Sequence, residues 1–156
     1  LVQMEAVVSH GDGTPPQLVE DRHGLIIEAA DAADAPKDAL SSQSVAFSHY
    51  NNISAQLGID PATGELVSGG AVEQAEQACK NIQAIIENVE HTMADAVKVN
   101  VYLRDLADLA AVEDVCARCF PGTPAFRAVG TSALPMDALV MIDAIFGNAE
   151  GTPPIA

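Results

Sequence analysis

Val72, Ala75, Cys79, Ile82, Ile86 and Val89 recur at spacings of three and four, with Ala78 and Ile85 flanking the same stripe. This spacing predicts a long helix that buries one face, entered through Ser68 and the glycines after it. The next apolar segment changes period. Over residues 96–103, Val97, Val99, Val101 and Leu103 alternate with Lys98, Asn100 and Tyr102, the pattern of a strand. A second helix is expected from Asp105 to Cys119, with Leu109, Val112, Val115, Cys116 and Cys119 inward and Pro121–Gly122 as its stop. Strands are expected over 125–132 and 138–146. Upstream, 24–30 reads as a short strand, 42–48 and 50–56 as a hairpin, and 59–67 as a turn-rich connection. The order is β-β-β-α-β-α-β-β, an α+β arrangement with two helices. Two amphipathic helices cover only one face of such a sheet. The other face carries Leu139, Met141, Asp143 and Ile145, too apolar to be left in water, so self-association is the expected cover.

A second pattern bears on domain organisation. Residues 139–154 reappear as residues 1–16 at a constant offset of 138, with seven of sixteen positions identical. Internal similarity of this kind points to tandem homologous units. The expected organisation is therefore the last strand and tail of a preceding repeat (1–16), a linker and first strand (17–34), one main domain (35–148) and a C-terminal tail (149–156). At 156 residues and 49% hydrophobic content the chain suits one core rather than two.

Charge and cysteine usage exclude some function classes. Seven Lys/Arg against 22 Asp/Glu leave a net charge of −15, which repels phosphate backbones and argues against nucleic-acid binding. No apolar run approaches the roughly 18 residues a membrane span requires, so no membrane partner is expected. The three cysteines fall within helical patterns, which suits a reducing, cytoplasmic setting better than a disulfide framework. Cys116 and Cys119 have CxxC spacing without a second pair or a neighbouring histidine, so core packing is the preferred reading. The four histidines show no ligand spacing, and no metal site is assigned.

The segments SQSVAFSHYNNISAQLGIDPATGELV, EQACKNIQAIIENV, AVKVNVYLRDLADLAAVEDV and PAFRAVGTSALPMDALVMIDAIF resemble the Rid family, also called YjgF or L-PSP proteins, over about residues 35–147. The resemblance implies a chorismate-mutase-like domain with a mixed sheet and two helices on one face. It also implies a homotrimer with a central barrel and small-molecule clefts between subunits. Family members with full sites hydrolyse reactive imines and enamines derived from amino acids, releasing a 2-oxo acid and ammonia, with no metal or organic cofactor.

The implied site needs an Arg after Pro-Ala to fork onto the substrate carboxylate, a Tyr before a Ser-Gln pair, a Ser-Gly-Gln turn and a Glu on the last strand. Without gaps, Phe126 occupies the Arg slot, Ser41 the Tyr slot, Ala55 the Gly slot and Met141 the Glu slot, while Ser54 and Gln56 are retained. Arg127 follows the expected Arg by one residue. A one-residue slip on a strand reverses the face, so this register aims Arg127 beneath the helices unless a bulge turns it into the cleft. The expected enzyme uses Arg127 as carboxylate anchor and Ser54 with main-chain groups to hold water. Phe126, Ser41, Ala55, Met141 and Asn100 then line the substrate side. Asp143 is expected to make an interface hydrogen bond. The alternative is a non-catalytic trimeric module whose degenerate cleft binds a small molecule or only supports assembly.

Overall fold

The structure, a computed structural model, describes residues 27–47 and 50–147. The repeat at 1–16, the linker up to residue 26, the hairpin tip and the tail 149–156 lie outside the described residues. In chain order the elements are β1 (Ile27–Ala30), β2 (Ser44–Phe47), β3 (Tyr50–Ile53), β4 (Gln56–Leu57), α1 (Ala71–Glu87), β5 (Ala96–Leu103), α2 (Leu109–Cys119), β6 (Ala125–Gly130) and β7 (Val140–Gly147). The strands form one mixed sheet in the order β1-β2-β3-β7-β5-β6, with β4 also beside β7. Among the described strands only β5 and β6 run parallel. Parallel neighbours need a long crossover, and α2 provides it.

Both helices lie on one face, as their stripes require. Ala75, Ala78, Cys79, Ile82, Ile85 and Ile86 of α1 enter the core with Val112, Val115 and Cys116 of α2. The sheet answers with Val99, Val101 and Leu103 from β5 and Val140, Ile142, Ala144 and Phe146 from β7. Each fully buried aliphatic side chain contributes roughly 1.5–3 kcal/mol, so this single apolar layer dominates stability.

Polar side chains on α1 fix its position along the sheet. Asn81 Nδ2 donates to the carbonyls of Leu57 (3.1 Å) and Ile59 (2.9 Å), and Gln74 Oε1 accepts from Leu139 N (2.8 Å). At the helix entry Glu73 Oε2 accepts from Gly70 N at 2.7 Å, bracing the first turn. Gly69, with φ +119°, makes the turn into it, where a Cβ would also strike the Glu73 side chain at 2.7 Å.

Two expectations fail for the same reason. Residues 50–56 are not one strand. Asn52 pairs with Ile145 and Gln56 with Ile142, so residues 53–55 face only residues 143 and 144 of β7. That extra residue is a bulge and divides the segment into β3 and β4. In β5 the register shifts between Ala96 and Lys98, and Val97 is turned out to 43% exposure instead of facing the core. Ala96 takes the buried position in its place.

Candidate functional site

Strand register builds the site. Asn100 of β5 pairs with Arg127 of β6 on one side and with Asp143 of β7 on the other. Directly paired residues share a face of the sheet. Arg127, Asn100 and Asp143 therefore form one row, on the face opposite the helices. The register-gap expectation for Arg127 is thus overturned. The parallel β5–β6 pairing puts Phe126 beside the buried Val99, and Arg127 one step further is on the open face.

Asn100 is 8% exposed and donates from Nδ2 to Asp143 Oδ1 at 2.6 Å. A carboxylate oxygen accepts only, so this bond fixes the amide orientation. Asn100 Oδ1 then points away and has no hydrogen-bond partner among the described residues. A buried acceptor left in this state costs about 1–3 kcal/mol, so it needs a reason to persist. Arg127 is exposed, and its side chain makes no hydrogen bond or ion pair among the described residues. The row thus offers a forked cation and an oriented acceptor on adjacent strands.

Flanking rows provide the walls. Leu57, Met141, Tyr102 and Val129 pair across one side of the polar row, and Asn52, Ile145, Lys98 and Ala125 across the other. Met141, Ile145 and Val129 are half-buried on this face. The bulge of residues 53–55 lies opposite Asp143 and brings Ser54 and Ala55 to the same end of the row. Ser54 is held from both sides. Its N–H donates to the Gln43 carbonyl at 2.8 Å, and its carbonyl and hydroxyl oxygens each accept from Gln56 Nε2 at 3.0 Å. Gln43 in turn donates to the carbonyls of Ala35 (3.1 Å) and Pro36 (2.8 Å) and accepts from Ala32 N, pinning the loop after β1.

Two expected site residues lie elsewhere. Phe126 is on the helix side, where with Cys116, Phe120 and Pro124 it lines a cavity of about 330 Å³. Ser41 is exposed in the loop before β2, bridged to Asp38. Among the described residues no group of His, Cys, Asp or Glu could hold a metal ion.

The family profile described as Endoribonuclease L-PSP matches residues 32–146, which is most of the chain. The chain belongs to the Rid (L-PSP) family. A Rid relative from Capra hircus named 2-iminobutanoate/2-iminopropanoate deaminase is 43% identical over 105 residues, covering 67% of this chain and 77% of its own length. A RutC family protein of Pyrococcus horikoshii is 41% identical, also over 105 residues, covering 67% of this chain and 83% of that protein. Among solved structures, RidA from an Antarctic Psychrobacter superposes with a TM-score of 0.73 at 38% identity, covering 77% of this chain and 98% of that one. The mixed sheet with two helices on one face is the Rid fold.

Proposed function

We propose that this Rid chain hydrolyses small 2-imino acids, or their enamine tautomers, to the 2-oxo acid and ammonia. One observation carries the reading. The Arg127–Asn100–Asp143 row presents an uncommitted guanidinium beside an oriented, unpartnered amide oxygen. The naming of the Capra hircus relative as an imine deaminase supports the same chemistry.

The guanidinium of Arg127 would grip the substrate carboxylate through two parallel N–H···O bonds. Asn100 Oδ1 would accept from the N–H of the protonated imine and so hold the iminium form, whose carbon water attacks as the C=N π pair moves onto nitrogen. Asp143 would act through Asn100, holding its amide orientation. Ser54, with main-chain groups of the bulge, would hold the attacking water. Holding a planar, already activated C=N next to water supplies most of what this reaction needs, and no cofactor is invoked. Half-buried Met141, Ile145 and Val129 would be covered by neighbouring copies in a trimer, which would put the row along a seam between subunits. The net charge of −15 speaks against an RNA substrate despite the family's descriptive name.

A second reading has its own support. Met141 puts an apolar side chain on the face where the family carries a Glu, which suits a binding or assembly module with a decayed cleft. The deciding experiment generates 2-iminobutanoate enzymatically and follows ammonia release with and without the chain. Acceleration that falls on the order of 100-fold in kcat/KM for Arg127→Ala is expected, since losing one partner of a desolvated charge pair costs roughly 2–5 kcal/mol. No acceleration by the wild-type chain favours the binding module. An unchanged rate in the variant removes Arg127 from the mechanism.

A further inference from the structure

Away from the open face, the two helices bring all three cysteines together. Cys79 of α1 faces α2, lining one groove with Cys119 and entering the core with Cys116. Their surroundings differ. Cys79 and Cys116 are 2% and 4% exposed, whereas Cys119 is half-buried. Cys79 and Cys119 both line a groove of about 550 Å³ between the helices, together with Glu76, Lys80 and Arg118. Cys116 lines the separate cavity next to Phe126. An ion pair from Arg118 to Glu76 at 3.2 Å ties the helices together beside Cys119.

These neighbours divide the thiols by reactivity. The neighbouring Cys79 thiol lowers the Cys119 thiol to about 7. Burial and Glu76 oppose that shift, and the Arg118 and Lys80 cations support it. The Cys79 thiol is held far above its usual range by the neighbouring Cys116 and Cys119 thiols and by burial. A solvent-accessible thiolate next to a buried thiol is the arrangement of an attacking and a resolving cysteine. The proposed imine chemistry uses neither.

We propose that Cys119 and Cys79 form a hydroperoxide-responsive pair, oxidised through a Cys119 sulfenic acid to a disulfide that locks α1 to α2. In the first step the Cys119 thiolate attacks one peroxide oxygen. An S–O bond forms, the O–O bond breaks, and the leaving alkoxide or hydroxide takes a proton. The sulfur loses two electrons. Conversion of the thiolate to a neutral sulfenic acid removes the charge that suppresses ionisation of Cys79. Cys79 then gives up its proton and attacks the Cys119 sulfur. The S–S bond forms, the S–O bond breaks and water leaves. The sum is two thiols plus a hydroperoxide giving a disulfide, an alcohol (water when the oxidant is hydrogen peroxide) and water.

The test treats the folded chain with a few equivalents of hydrogen peroxide and maps the products by non-reducing peptide mass spectrometry. The expected result is an intramolecular Cys79–Cys119 link with loss of two hydrogen atoms. Iodoacetamide should label Cys119 at neutral pH roughly tenfold faster than the other two cysteines. In Cys79→Ala the sulfenic acid should persist and be trapped on Cys119 by dimedone, whereas Cys119→Ser should trap none. Should Cys79→Ala fail to fold, the wild-type map and labelling rates decide alone. A Cys116–Cys119 link, an intermolecular disulfide, or equal labelling of the three thiols would overturn the proposal.

Discussion

Alternate residues of β7 live in two different environments. Val140, Ile142, Ala144 and Phe146 are sealed beneath the helices, while Met141, Asp143 and Ile145 on the other side are half-buried. The helix side is mostly apolar, with Asn51 and Gln56 as buried polar exceptions, and is closed by the chain's own elements. The open side mixes methyl-rich walls with a polar row whose best donors and acceptor are not used up internally. One face is largely sealed, whereas the other leaves its apolar walls half-buried and Arg127 exposed.

The difference can be broken most severely at Ile142. Ile142→Ala removes a side chain with 0% exposure and should cost about 2–5 kcal/mol in denaturant unfolding. The matching change on the open side, Ile145→Ala, should instead act on association, read as a sedimentation shift. Equal effects of both on chain unfolding would erase the distinction between faces. Next in size is Asn81→Ala. It strips the Leu57 and Ile59 carbonyls of their donor and should cost about 1–3 kcal/mol, visible as a lowered midpoint at unchanged m-value. On the outer flank of the helices, Cys119 alkylation should follow its thiolate. With the thiol lowered to about 7, the rate should fall as pH drops through that value, to roughly a tenth one unit below it. The smallest effect is expected at Val97, whose bulged position leaves it 43% exposed. Val97→Ala should change stability by no more than about 0.5 kcal/mol, whereas a Val on an unbulged core strand would lose more.

Periodicity made the helix side legible. The stripe from Val72 to Val89 and the alternation of β7 depend on residues near in sequence, and both describe what packs under α1 and α2. The open side depends on pairings between distant residues. Arg127 lies beside Asn100 because of the parallel register that α2 imposes on β6, and nothing in PAFRAV announces that register. The bulges at residues 53–55 and at Val97 are likewise properties of strand pairs, with no Gly or Pro at either place to signal them. One missed signal was available. Gln74, Ala78, Asn81 and Ile85 follow spacings of four, three and four, a second inward line that the polarity of Gln74 and Asn81 conceals.

Among the described residues, β6 is an edge strand, hydrogen-bonded to the sheet through β5 alone. Arg127 therefore rides on a beam supported along a single edge. Its aim is only as steady as β5, and a docked neighbour along the free edge would stiffen it. Diluting such an assembly should weaken the proposed Arg127–carboxylate contact well before any chain begins to unfold.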